Sequence, residues 1–164
     1  MQAKITGTGM YVPPLVINND ALARIMDTSD EWITTRTGIK TRHIADDGMT
    51  CSDMATEAGR RALKNAGVDP KQIELVIVGT FTGDRPLPAA ACFVQHKLGL
   101  VNAGAFDLAA ACSGFIYATA CAQGFITNGI YSNILVIGVD HLSAFTDYTD
   151  RKSCILFGDG AGAA

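Results

Sequence analysis

The chemistry this chain offers centres on Cys112, in the run Phe106-Asp107-Leu108-Ala109-Ala110-Ala111-Cys112-Ser113-Gly114-Phe115. An apolar stretch with strand character meets the cysteine, and a small-residue helix follows at once. That is the order of a strand-to-helix elbow, in which a tight turn projects the side chain and Gly114 leaves room for a close approach. The positive end of the following helix favours the thiolate, the reactive form of a cysteine. Backbone N–H groups at the same end suit the oxyanion formed during acyl transfer. A thiol packed in the core is the competing account, and the residues alone leave both open. Cys51, Cys92, Cys121 and Cys154 lack these flanks and read as structural thiols.

A nucleophilic cysteine calls for a base, most often histidine. His43 follows Arg42 near a surface turn, His96 shares an exposed-looking helix with Lys97, and His141 follows a strand end. None is marked as the partner of Cys112, and each reads as structural or solvated. Trp32 and Arg36 form a second candidate site, four residues apart and so on one helix face. An aromatic beside a cation suits stacking on a nucleotide base and contact with phosphate, although a half-buried tryptophan has the same pattern. The glycine-rich Gly158-Asp159-Gly160-Ala161-Gly162 lacks the Lys-Ser/Thr of a phosphate-binding loop and reads as a turn or as close backbone packing.

The elements that must position these residues follow from periodicity. Lys4 to Val12 reads as a strand closed by Pro13-Pro14. Asn18 caps a short helix carrying Leu22, Ile25 and Met26, and Thr28 with Glu31 has capping-box spacing for a helix that stops at Gly38. Thr50 to Ala66 is the clearest helix, with a stripe of Met54, Ala58, Ala62 and Ala66 ahead of Gly67. Leu75–Gly79 and Ile134–Val139 are continuous apolar runs, as in strands covered on both faces. Pro88 to Leu98 reads as a helix with Pro88 in its first turn, Ala105 to Ala109 as a strand, Ser113 to Asn128 as a helix, and Cys154 to Phe157 as a further strand. Alternating strands and helices predict an α/β domain with a largely parallel sheet covered by helices.

The 164 residues make one ordinary domain, and 48% hydrophobic with 18% charged residues supports a sizeable core. A net charge of −3 argues against nucleic acid or an anionic membrane as the main partner. From Leu108 to Val139 there is no Asp, Glu, Lys or Arg, but Gln123, Asn128, Gly129 and Asn133 interrupt the segment, so it reads as a buried helix and strand rather than a membrane span. Five cysteines without a close C-x-x-C pair fit reduced thiols in a cytoplasmic protein. No secretory signal is legible at the N-terminus, and an end on Ala163-Ala164 within an apolar run reads as part of a longer protein.

The whole set of motifs resembles the β-ketoacyl-acyl carrier protein synthase III family of condensing enzymes. The matching pieces are Gly7-Thr8-Gly9, Asp27 to Ile33, Thr35 to Ile39, Arg42 to Ala45, Ala105 to Phe115, Thr149-Asp150-Arg151 and Phe157 to Ala164, in the family's order and spacing. The resemblance implies a thiolase-like fold of two βαβαβαββ halves, residues 1–164 being the N-terminal one, with a mixed, mostly parallel five-stranded sheet. It implies that Cys112 is acylated by an acyl-CoA starter and that Trp32 and Arg151 sandwich the adenine, with Thr28 and Arg36 completing the coenzyme A site. Leu87 matches a position that shapes the acyl pocket across a homodimer. The second substrate is malonyl-acyl carrier protein, and coenzyme A enters as a substrate thioester rather than as a cofactor. The family's catalytic His and Asn belong to the C-terminal half, so complete turnover is not expected of these residues alone. A starter-unit synthase of a polyketide-type pathway, a non-catalytic half-subunit and a hydrolase are the alternatives.

Overall fold

The computed structural model describes residues 2–164. In chain order the elements are β1 (Gly9–Tyr11), β2 (Leu15–Asn18), α1 (Asn19–Ala23), α2 (Asp30–Thr37), β3 (Thr41–Ile44), α3 (Cys51–Ala66), β4 (Leu75–Gly79), α4 (Ala90–Leu98), β5 (Gly104–Leu108), α5 (Gly114–Thr127), β6 (Ile134–His141) and β7 (Asp159–Ala163). One sheet has the order β1-β7-β6-β4-β5. β4 pairs in parallel with both β5 and β6, whereas β7 runs antiparallel to β6 and β1 antiparallel to β7. Four strands therefore share a direction and β7 opposes them. β2, α1, α2 and β3 form an excursion between β1 and α3, and without it the order is βαβαβαββ. This is the mixed, mostly parallel α/β sheet that the resemblance implied.

The apolar run of β4 is buried at every position because both faces are covered. Val76 and Val78 join Met54, Ala58 and Val94 beneath α3 and α4, while Leu75 and Ile77 join Ala118, Ala122 and Val136 beneath α5. Strand alternation thus divides one run between two cores. α3 begins with Thr50 as N-cap in a reciprocal capping box with Asp53 and ends at Gly67 in the left-handed conformation. Among the described residues no helix is long and apolar enough to cross a membrane.

Several boundaries differ from the sequence expectation, each for a physical reason. Of Lys4 to Val12 only Gly9–Tyr11 is a strand, because β7 supplies partners for those three residues alone. α1 stops at Ala23, leaving Ile25 and Met26 beyond it. Ser29, not Thr28, caps α2, its side chain accepting from the Trp32 amide. Pro88 lies ahead of α4, whose first amides are held instead by Asp107 of β5: Oδ2 accepts from Ala90 N at 2.7 Å and Oδ1 from Ala91 N at 2.8 Å.

Cys154 to Phe157 is a turn, not a strand. Cys154 and Ile155 bury with Leu22 and Ile33 in a third small core, and the Ile155 carbonyl accepts from the buried Arg42 guanidinium at 3.2 Å. The glycine run that read as a turn is β7, held between β1 and β6. The antiparallel β2–β3 ribbon went unread because β2 is mostly exposed and neither strand shows alternation.

Candidate active site

β5 ends at Leu108, and a single 3-10 turn, Ala111–Ser113, connects it to α5. Ala111 in that turn has φ 45°, a left-handed conformation that an alanine adopts only under constraint from its surroundings. The constraint is the approach of α5 to the sheet. A Cβ on Gly138 of β6 would lie 2.9 Å from the Cβ of Phe115, so the first turn of α5 rests directly on the strand. Cys112, at the apex, is exposed. The amides of Ser113 and Gly114 close the turn by donating to Ala110 and Ala111, so these two N–H groups are engaged within it.

Cys112 opens onto a cleft of about 590 Å³ at the C-terminal ends of the parallel strands, lined also by Gly79, Phe115, Gly138, Asp140 and Gly160. Ligands in open α/β sheets bind at such carboxyl ends. Asp140 is held at the rim through Oδ1, which accepts from Thr82 Oγ1 at 3.0 Å, Thr80 Oγ1 at 3.1 Å and Phe81 N at 3.3 Å. These bonds pin the loop after β4 to the end of β6. Asp84 fixes the same loop further on, accepting from Ser52 N at 2.9 Å and Ser52 Oγ at 2.5 Å at the start of α3.

The buried Asp159 ties β7 to its surroundings, accepting from Ala45 N at 2.7 Å and Ser143 Oγ at 2.6 Å. Among the described residues no histidine lines the cleft. His43 Nδ1 contacts the Pro13 carbonyl at 2.6 Å, His141 Nε2 stands 4.0 Å from Asp159, and His96 lies in the last turn of α4.

A second cluster surrounds the half-buried Trp32 on α2. The Arg36 guanidinium carbon is 4.3 Å from the indole centroid and that of Arg151 is 4.9 Å from it. Arg151 Nη1 also donates to the Asp27 carbonyl at 2.7 Å and to Asp27 Oδ2 at 3.3 Å. The Thr28 hydroxyl is buried beside this cluster in sequence and has no hydrogen-bond partner.

A profile of 3-oxoacyl-[acyl-carrier-protein (ACP)] synthase III matches residues 106–164, from the strand that leads into Cys112. Over 163 residues the chain is 55% identical to the β-ketoacyl-[acyl-carrier-protein] synthase III of Geobacillus kaustophilus, covering 99% of this chain and 53% of that protein.

Over nearly its whole length the chain is similar to about half of a β-ketoacyl-acyl carrier protein synthase III.

The crystal structure of the synthase III from Aquifex aeolicus VF5 superposes on 98% of the chain and 52% of its own, with TM-score 0.95 and 51% identity. The priming β-ketosynthase from the R1128 polyketide biosynthetic pathway superposes with TM-score 0.96 at 42% identity, over 98% of this chain and 48% of its own. The chain spans about half the length of the curated relatives it matches.

Against the residues singled out by the family pattern, the structure brings Trp32, Arg36 and Arg151 together and places Cys112 alone in its cleft. Thr28 adjoins the first group, but its oxygen has no solvent contact, so a ligand reaches it only after a side-chain rotation. Leu87 is 83% exposed beyond Asp84 on the loop and does not line the cleft. Sequence reasoning overlooked Asp140, Thr80 and Thr82. A carboxylate just past the apolar run Ile134–Val139 was the available signal, because the end of a buried parallel strand is where a polar side chain meets a cleft.

Proposed function

We propose that the protein is a β-ketoacyl-acyl carrier protein synthase III in which residues 1–164 form the N-terminal half, carrying the nucleophile and much of the coenzyme A site. The observation that carries this reading is the exposed Cys112 on its strained turn at the C-terminal ends of parallel strands. Cys112 Sγ attacks the carbonyl carbon of an acyl-CoA thioester, acetyl-CoA in the simplest case, and coenzyme A leaves as the thiol. Malonyl-acyl carrier protein then loses carbon dioxide. The carbon freed attacks the acyl carbonyl, a C–C bond forms, and the C–S bond to Cys112 breaks to return the thiolate. The product, a β-ketoacyl-acyl carrier protein, initiates type II fatty-acid synthesis in the cytoplasm.

The cleft supplies no histidine or asparagine for the decarboxylation step, which this reading assigns to residues outside 1–164. α5 offers a face for them: Ile116, Tyr117 and Cys121 are exposed on a helix without a single charge. A homodimer fits the other side. β5 is an edge strand, and Leu87 stands exposed where a neighbouring subunit would cover it. Trp32 and Arg151, with Arg36 and Thr28, serve the adenine and phosphates of the coenzyme.

Acetyl-CoA and malonyl-acyl carrier protein supplied to the intact protein test the reading. Release of carbon dioxide with formation of acetoacetyl-acyl carrier protein supports it, and loss of both in Cys112→Ala is required. Likeness to the R1128 priming enzyme supports a second reading, a polyketide starter-unit synthase. A panel of acyl-CoA donors separates the two, because labelling of Cys112 only by long or aromatic donors contradicts fatty-acid initiation. No labelling by any donor favours a non-catalytic subunit, and thioester hydrolysis without condensation marks a hydrolase.

A further inference from the structure

The two arginines lie on the indole itself, which leaves no room for a base beneath Arg151. Planar groups in contact stand about 3.5–4 Å apart, so a base held between Trp32 and a guanidinium needs the outer layers about 7 Å apart. Arg151 Cζ is 4.9 Å from the Trp32 centroid, and Arg36 Cζ is 4.3 Å from it. Each arginine is also held by a carbonyl: Arg36 Nη1 donates to its own helix at Trp32 O at 3.2 Å, and Arg151 Nη1 to Asp27 O at 2.7 Å. Asp27 adds its carboxylate at 3.3 Å from the same nitrogen.

We propose that Arg151 is a reversible cap on Trp32, latched by Asp27, and that an adenine base binds by displacing it outward to become the second stacking layer. This rests on the coenzyme A reading of the Trp32 site and adds to it a closed ligand-free state and a positioning residue, Asp27. The closed state competes with the ligand, because apparent affinity falls in proportion to the open fraction. Cation–π and exposed ion-pair contacts of this kind are each worth a factor of about two to five in that equilibrium. Arg151 therefore has opposed effects: it masks the site when empty and completes it when filled. Asp27 contributes only to the masking.

Trp32 is the single tryptophan of residues 1–164, and with any tryptophan outside them replaced by phenylalanine its fluorescence reports this site alone. Acrylamide quenching of ligand-free protein is compared for wild type, Arg151→Ala and Asp27→Ala, with far-UV circular dichroism to verify folding. The cap predicts a rise in the quenching constant of about twofold for Arg151→Ala and a smaller rise for Asp27→Ala. An unchanged constant in folded Arg151→Ala overturns it. Adenosine, which has no charge for the carboxylate to repel, is then titrated by the same signal. Tighter binding to Asp27→Ala by about twofold supports the latch, and equal or weaker binding contradicts it. If neither adenosine nor coenzyme A perturbs Trp32 in the wild type, the coenzyme A reading fails, while the ligand-free quenching still decides whether the cap exists.

Discussion

Gly79 and Gly114 meet backbone to backbone: a Cβ on Gly79 would lie 2.6 Å from the Gly114 carbonyl carbon and 2.8 Å from Phe115 N. The end of β4 therefore fixes where α5 begins, two residues after Cys112. Gly79→Ala should destabilise the protein by about 1–3 kcal/mol through overpacking and slow the acylation of Cys112 as the turn is pushed aside. Urea unfolding and the rate of acyl transfer from acetyl-CoA measure the two effects. Gly114→Ala, with its nearest contact at 3.2 Å, should be milder in both.

The five thiols should separate by accessibility. Burial pushes the Cys51 thiol up to about 11, against the pull of hydrogen bonds from Thr80 and Thr82, and burial also raises Cys154. Iodoacetamide at neutral pH should modify the exposed Cys112 first and spare Cys51 and Cys154 until the protein unfolds. Peptide mass spectrometry over a time course reads the order. Early labelling of Cys51 in folded protein would contradict the core assigned to it.

Trp32→Ala should weaken coenzyme A binding by about 1–3 kcal/mol, the usual worth of one base–aromatic stack, with little change in unfolding midpoint. Isothermal titration supplies the first number and thermal melting the second. Equal losses in affinity and stability would make Trp32 a packing residue.

The fold and the candidate site were legible to different degrees. β4 and β6 announced themselves as apolar runs because both faces are covered, and α3 did so through its alanine stripe and Gly67. β7 stayed hidden because Asp159-Gly160-Ala161-Gly162-Ala163 has neither branched nor aromatic residues: its small side chains reflect its place between β1 and β6 beside the cleft. The opposite error arose at Cys154-Ile155-Leu156-Phe157, whose hydrophobicity comes from a turn that fills the small core of the excursion. Cys112 stood out through its flanks. The site around Asp140 did not, because its bonds to Thr80 and Thr82 join residues about 60 positions apart, and only the parallel β4–β6 pairing brings them together. Arg151 likewise reaches Asp27 across the chain, which no local spacing reveals.

Stability should fall on acidification in a defined range. Burial pushes the Asp53 carboxyl up, but hydrogen bonds from Lys97 and Thr50 outweigh it, and the net direction is below its ordinary 3.8. Asp30 is lowered as well, chiefly by the hydrogen bond from Asn19. Groups more acidic in the folded state contribute their full stabilisation above the ordinary value and lose it as pH drops through the folded one. The urea midpoint should hold level with respect to these groups above about pH 5 and decline below about pH 4, less steeply in Asp53→Asn. A midpoint insensitive to pH between 5 and 3 would contradict the assigned hydrogen bonds.

The most direct test of the account is the covalent intermediate. Intact protein incubated with acetyl-CoA, quenched in acid, digested and sequenced by mass spectrometry should carry an acetyl thioester on the peptide containing Cys112, and Cys112→Ser should carry none there. An acetyl group on another cysteine, or none on Cys112 under conditions that support condensation, would contradict the central claim.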